Sequence, residues 1–179
     1  GGVTDMQVTT GLPNGNGIAE FYSSFHQDPV VATRLYAGGH VEMYRSNDKG
    51  DNWTMIGTPL GAGRIKEFAI APTNNQIIYA LKSNEVSKSI DGGATWNDAD
   101  VLGNLPTSTS APTMVAISNT DAQKVWIVFS GYSAGDKVFR TINGGSTWTN
   151  ISIGLPNLPI NTIVYKNGSA TDEIYIGAD

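Results

Sequence analysis

Short apolar runs bounded by glycine, proline, asparagine or aspartate recur along the whole chain. They include VVATRLYAGG, IKEFAIA, QIIYALK, TMVAIS and KVWIVFSG. β-Branched and aromatic residues are frequent in these runs, which is typical of β-strands. The central runs are apolar on both faces, as in sheets that are covered on both sides. No window keeps apolar residues at helical spacing over three turns, so the pattern predicts an all-β chain.

A polar motif that ends in tryptophan occurs three times between these runs. The copies are SNDKGDNW at 46–53 (motif 1), SIDGGATW at 89–96 (motif 2) and TINGGSTW at 141–148 (motif 3). Their tryptophans are 43 and 52 residues apart, close to the ~40 to 50 residues of a four-stranded propeller blade. Each motif is preceded by two apolar runs and by a third run that leads into it, and a further segment follows it. These four segments supply four strands. The spacing therefore predicts a β-propeller of four-stranded antiparallel blades.

The repeat also predicts where the blades begin and end. Complete blades are expected at 18–60, 61–103 and 104–156, with the last strand of a preceding blade in 1–17 and the first two strands of a further blade in 157–179. About three and a half blades are thus expected. Exposed strand edges in such a partial propeller favour self-association or completion by another chain. The alternative is a small ring, closed when Met6–Thr10 pairs with the C-terminal blade.

The three motifs resemble the Asp-box, or BNR repeat, of sialidases, sortilin-type receptor domains, xyloglucan hydrolases and secreted bacterial propellers. The resemblance implies that each motif is a hairpin turn between the third and fourth strands of a blade, on the outer rim. An Asp or Asn side chain then caps backbone N–H groups, Gly accepts positive φ, and Trp covers the turn. The residues with these structural roles are Ser46, Asp48, Gly50 and Trp53; Ser89, Asp91, Gly93 and Trp96; and Thr141, Asn143, Gly145 and Trp148.

Other roles for the motif residues are open at this point. Asp48, Asp91 and Asn143 could be catalytic or metal-binding groups, but an amide cannot replace a general base, so Asn143 favours turn capping. The stretch NDKGD lacks the later Glu of a calcium loop. We therefore expect no metal and no cofactor. The motif tryptophans could instead be platforms on which sugars stack.

Composition excludes several classes of partner. The 179 residues carry a formal net charge of −5 and offer no basic stripe for nucleic acid. No apolar run reaches the ~18 residues of a membrane span. The chain contains no cysteine, so disulfides and thiolate chemistry are excluded. The resemblance to secreted propellers implies a secreted or cell-surface location.

The sequence leaves enzyme activity open and favours a binding role. A sialidase needs three converging arginines, and the chain has only Arg34, Arg45, Arg64 and Arg140. Glycosidases need two facing carboxylates, and no spacing singles out a pair among Glu20, Asp28, Glu42, Glu67 and Glu85. His26 and His40 look isolated, so we expect them in loops or at the surface.

The favoured function is a non-catalytic extracellular module that binds a glycan or a protein. The alternative is a fragment of a secreted glycoside hydrolase whose catalytic carboxylates lie partly outside this chain.

Overall fold

The computed structural model describes residues 10–12, 24–83, 85–97, 105–106 and 110–179. These residues form thirteen β-strands in four antiparallel sheets and contain no helix. The all-β prediction is confirmed. Within the same residues, no helix is long and apolar enough to cross a membrane.

Two of the sheets have four strands, each ordered as in the sequence. Sheet A contains β1 (Phe25–Gln27), β2 (Leu35–Gly38), β3 (Met43–Ser46) and β4 (Thr54–Gly57). Sheet C contains β8 (Pro112–Ile117), β9 (Val125–Phe129), β10 (Val138–Thr141) and β11 (Thr149–Asn150). In both sheets the motif is the turn between the third and fourth strands.

The other two sheets have fewer strands in the described part of the chain. Sheet B contains β5 (Glu67–Ile70), β6 (Ile78–Leu81) and β7 (Val86–Ser89), and a single bridge from Lys88 to Asn97 takes the place of a fourth strand. Sheet D contains β12 (Ile160–Tyr165) and β13 (Ile174–Ala178). Most of the strand predicted within 1–17, and the start of the strand predicted from residue 18, lie outside the described residues. Thr10, from the end of the first of these, bridges Asn52 of motif 1.

The sheets stack face to face, and the core lies between them. The second strands β6 and β9 are buried along their whole length. Tyr36 and Met43 of sheet A pack with Phe68 and Ile78 of sheet B. Equivalent apolar clusters join sheet B to sheet C and sheet C to sheet D. The prediction that the central runs are covered on both faces is confirmed.

Neighbouring sheets also meet at their first strands. β5 contacts β8, and β8 contacts β12. A side-chain contact between His26 and Glu67 joins β1 to β5. Because the first strands adjoin, residues more than 40 positions apart in sequence share one pocket.

Candidate functional site

The three motifs form the same hydrogen-bonded turn. In motif 2 the Ser89 hydroxyl donates to Asp91 Oδ1 (2.8 Å) and accepts the Gly93 N–H (2.8 Å). Asp91 Oδ1 also accepts the Thr95 N–H (2.9 Å), and Asp91 Oδ2 accepts the Thr95 hydroxyl (2.6 Å). Motifs 1 and 3 repeat the hydroxyl and Oδ1 bonds through Ser46, Asp48 and Gly50 and through Thr141, Asn143 and Gly145. The bond to the second side-chain atom differs in direction: the Asn52 amide donates to Asp48 Oδ2 (2.7 Å), whereas the Asn143 amide donates to the Thr147 hydroxyl (2.9 Å).

Each motif turn forms a backbone hydrogen bond within its own sheet, so the three motifs do not form one site. The N–H of the fourth motif residue donates to a carbonyl of the hairpin between the first and second strands of the same sheet. These bonds run from Lys49 to Thr33, from Gly92 to Gln76 and from Gly144 to Gln123. The motif side chains therefore serve three separate turns.

The motif carboxylates are held in the ionised form. Hydrogen bonds from Asn52 and then Ser46 lower the pKa of Asp48 from 3.8 to about 2. Bonds from the Thr95 side chain and backbone lower the pKa of Asp91. A carboxylate stabilised in this way is a hydrogen-bond acceptor for the turn and a poor proton donor at neutral pH.

The motif tryptophans differ in burial. Trp53 and Trp148 are only 7% and 3% exposed, which leaves their rings no open face for a sugar. Trp96 is half-buried, and its indole N–H donates to the Gly93 carbonyl (2.9 Å). Trp126, on β9, lies in the core between sheets C and D.

A polar cluster joins the first strands of sheets A and B. Glu67 Oε1 accepts hydrogen bonds from the Ser24 hydroxyl (2.6 Å) and the Phe68 N–H (2.8 Å), and it lies 2.6 Å from His26 Nε2. The expectation that His26 is isolated is therefore wrong. His26 is on β1, and the stacking of two sheets brings it to a residue 41 positions away. The sequence contains one signal for this cluster: His26 and Glu67 are titratable residues, and each lies inside a strand-like run.

The cluster is not a nucleophilic triad. In a triad the histidine lies between the hydroxyl and the carboxylate, whereas Ser24 and His26 both contact the same oxygen of Glu67. Burial by itself would raise the pKa of Glu67, but the bonds from His26, Ser24 and the Phe68 N–H outweigh it and lower that pKa. Glu67 is thus ionised at neutral pH, and its Oε2 takes part in none of these three contacts.

A pocket of about 180 Å³ lies beside this cluster, where β1, β5 and β8 meet. Its wall combines polar and apolar side chains: His26, Gln27, Pro29, Glu67, Phe68, Ala69, Ile70, Met114 and Val115. Two polar groups of the wall are accessible: His26, with 42% of its side chain exposed, and Gln27, which is exposed. The His26 ring packs edge-on against Phe68 at 4.7 Å between centroids, which fixes the imidazole at the pocket mouth.

The other candidate carboxylates have different roles. The Asp28 side chain is fully buried and accepts bonds from the N–H groups of Val30 and Val31, from Asn75 and from Arg34. It stabilises two loops. Glu20 lies outside the described residues. Among the residues that are described, no group of three or more His, Asp or Glu side chains could hold a metal ion.

Stacked antiparallel sheets whose first strands adjoin define the β-propeller class of proteins. The DUF6242 beta propeller domain family matches residues 10–175, and the chain belongs to this family. The predicted propeller fold is confirmed, and the described sheets are part of such a propeller.

Three known proteins show what the chain is similar to. A xyloglucanase of Hypocrea jecorina (strain QM6a) is 27% identical over 173 residues, which covers 94% of this chain and 19% of that protein. The GH74 enzyme of Niastella koreensis has a TM-score of 0.64 at 21% identity, over 88% of this chain and 26% of that one. The extracellular domain of BT4673 from B. thetaiotaomicron has a TM-score of 0.60 at 16% identity, over 88% and 19%. The chain thus spans about a fifth to a quarter of these proteins, and the two structures show the fold alone.

Proposed function

We propose that this chain is a non-catalytic β-propeller module that binds a glycan outside the cell. The ligand site is the pocket beside Ser24, His26 and Glu67. The observation that carries the proposal is an ionised carboxylate, held by three contacts to one of its oxygens, beside a pocket with an apolar wall.

The chemistry of the pocket suits a sugar ring. Hydroxyl groups of a sugar donate to Glu67 Oε2 and exchange hydrogen bonds with the His26 ring and the Gln27 amide. The C–H face of the ring packs on Met114, Val115 and neighbouring apolar groups. The volume is below the ~300 to 1,000 Å³ of sites for drug-sized ligands. The pocket therefore accepts one terminal or branching sugar residue rather than a long chain.

Xyloglucan is the first glycan to test, because the Hypocrea jecorina relative is named a xyloglucanase. An extracellular location fits a glycan ligand, and it also fits the similarity to the extracellular domain of BT4673. A protein ligand at the same face is the other partner class that the sequence favours.

A binding role is favoured over hydrolysis by the single carboxylate of the pocket. Of the described residues that line it, Glu67 alone carries a carboxyl group, whereas both glycosidase mechanisms use two. Its lowered pKa also opposes a role as general acid, which requires a raised pKa. The second candidate function is part of a glycoside hydrolase whose other carboxylate comes from elsewhere in a longer protein. The similarity to xyloglucanases supports that alternative.

Calorimetric titration with xyloglucan oligosaccharides tests the proposal. We expect Glu67→Gln to weaken binding by about tenfold, since a charged acceptor is lost. Glu173→Gln is the matched control, because Glu173 forms an exposed ion pair with Lys166 outside the pocket. No reducing sugar should be released by any of these proteins. Equal binding by Glu67→Gln and the unaltered chain contradicts the site, and release of sugar that Glu67→Gln abolishes supports the hydrolase alternative.

We further propose that motifs 1 to 3 are Asp-box turns of three successive blades at 18–60, 61–103 and 104–156. Residues 1–17 and 157–179 would then belong to adjoining blades. The bond from a Gly N–H to the Ser or Thr hydroxyl, which all three turns share, supports this assignment.

A further inference from the structure

The loop between β9 and β10 is longer than the corresponding loops of sheets A and B, and it carries an exposed aromatic side chain. It comprises residues 130–137, whereas the corresponding loops are 39–42 and 82–85. Tyr132 lies in this loop and is 71% exposed. Binding residues are frequent on loops that a rigid scaffold positions. Tyr132 is therefore a candidate for contact with a ligand.

Three side chains hold the loop in place by donating hydrogen bonds to its backbone carbonyls. The pairs are Lys137 Nζ with Gly131 (2.5 Å), the Asn157 amide with Tyr132 (2.8 Å) and the Asn150 amide with Gly135 (2.7 Å). Lys137 is only 1% exposed, and a buried ammonium is costly unless it is hydrogen-bonded. The loop thus presents Tyr132 in one position, and a ligand there pays little entropy for ordering it.

The loop lies at the end of sheet C that also contributes to the pocket beside Glu67. The Ser130 N–H donates to the Ala111 carbonyl (3.2 Å), three residues before Met114 of the pocket wall. These three residues span about 10 Å in an extended strand. The Thr113 hydroxyl, next to Met114, also donates to the carbonyl of Ile160 (2.9 Å), where the segment that holds the loop enters β12. One oligosaccharide can therefore reach from the pocket to the loop.

We propose that Tyr132 is a stacking platform for the part of a glycan chain that extends beyond the pocket. This inference rests on the function proposed above, in which the pocket holds a single sugar residue. The C–H face of a further sugar residue packs on the Tyr132 ring, because this contact buries apolar surface of both. The platform makes the site selective for oligosaccharides over single sugars.

The surroundings of Tyr132 suit a neutral glycan. The charged residues of the loop are Asp136, which is half-buried, and Lys137, which is buried. The exposed Asn157 lies beside Tyr132, and its side-chain oxygen accepts hydrogen bonds from sugar hydroxyl groups. The loop therefore offers an aromatic face and uncharged polar groups to the ligand.

Calorimetric titration with two xyloglucan fragments of different length tests the platform. The probes are a xyloglucan heptasaccharide and the disaccharide isoprimeverose. For the heptasaccharide, we expect Tyr132→Ala to weaken binding by about tenfold, which corresponds to the loss of roughly 55 Å² of buried apolar surface. Tyr132→Phe keeps the ring and should leave binding unchanged. For the disaccharide, which the pocket holds, Tyr132→Ala should have no effect.

Two further variants separate the platform from the pocket. Glu67→Gln should weaken binding of both fragments, because both place a sugar residue in the pocket. Tyr175→Ala is the matched control, since it removes an exposed tyrosine from β13, outside the pocket and the loop, and it should bind both fragments like the unaltered chain. A melting curve for each variant establishes that it folds.

The outcomes distinguish failure of the platform from failure of the proposed function. If Glu67→Gln weakens binding of the heptasaccharide and Tyr132→Ala does not, the platform is overturned and the glycan pocket is supported. If neither fragment binds to the unaltered chain, the glycan function fails and the platform fails with it. An effect of Tyr132→Ala without any effect of Glu67→Gln would place the glycan on the loop alone and overturn the continuous site. An equal loss of both fragments in Tyr132→Ala would also overturn the platform.

Discussion

At the scale of single residues, the fourth motif position shows how a turn constrains the chain. Its backbone φ is positive in all three turns: 62° at Lys49, 72° at Gly92 and 68° at Gly144. Glycine adopts this conformation without steric strain, whereas a side chain there places Cβ too close to the following carbonyl oxygen. Motif 1 alone has a side chain at this position, and that side chain is exposed.

We therefore expect Lys49→Gly to stabilise the protein by about 0.5 to 1 kcal/mol. Relief of roughly 1 to 2 kcal/mol of backbone strain exceeds the entropy that glycine adds to the unfolded chain. Urea denaturation measures the change. Lys49→Ala keeps the strained backbone and removes the long side chain, so an equal gain with Lys49→Ala would show that the backbone is not the cause.

At the scale of the turn, the motif hydroxyl and the motif carboxylate accept hydrogen bonds from different backbone N–H groups. The Ser89 hydroxyl binds the buried N–H of Gly93, whereas Asp91 is exposed and binds the exposed N–H of Thr95. The sequence pattern drew attention to the Asp or Asn as the cap. The structure shows that the Ser or Thr satisfies the buried donor.

Ser89→Ala should therefore cost more stability than Asp91→Ala. Loss of the hydroxyl leaves a buried N–H without an acceptor, at about 1 to 3 kcal/mol. Loss of the exposed carboxylate should cost about 1 kcal/mol, because water replaces its bonds. Asp91→Asn is the control, since Asn143 makes the same bonds in motif 3. Thermal or urea unfolding of the three variants gives the order, and a larger loss with Asp91→Ala would contradict this division of roles.

At the scale of the whole molecule, the ionised carboxylates determine how stability depends on pH. The pKa values of Asp28, Asp48, Glu67, Asp91, Asp172 and Glu173 are all lowered in the folded chain. The unfolded chain therefore binds protons at a higher pH than the folded one. Their contribution to stability is complete above the unfolded pKa values and is lost as pH falls through the folded values.

We expect the melting temperature to fall steadily between about pH 5 and pH 2, the window between the unfolded and folded pKa values. Asp48, with a folded pKa of about 2, continues to contribute to the slope at the acid end of this range. Asp48→Asn keeps the acceptor oxygen but does not titrate, so its melting temperature should depend less on pH. Parallel curves for the two proteins would show that Asp48 does not couple folding to protonation.

The motif turns could be predicted from sequence because their bonds are local. Ser89, Asp91, Gly93 and Thr95 lie within seven consecutive residues, and their side chains reach the backbone of the same turn. The strand order within sheets A and C could also be predicted, because hairpins join neighbours in sequence. Sheet B is less regular than predicted in the described residues, since one bridge at Asn97 takes the place of its fourth strand.

The sequence by itself determined the all-β class, the three equivalent turns and the propeller repeat. Each of these features depends on a pattern that is local or that recurs at a regular interval of about fifty residues or fewer. Only the tertiary structure decided that His26 meets Glu67 and that Asp28 meets Asn75. The partners of each pair are more than 40 positions apart in sequence. The physical reason is that these contacts depend on which sheet packs beside which, and no local pattern records that neighbour.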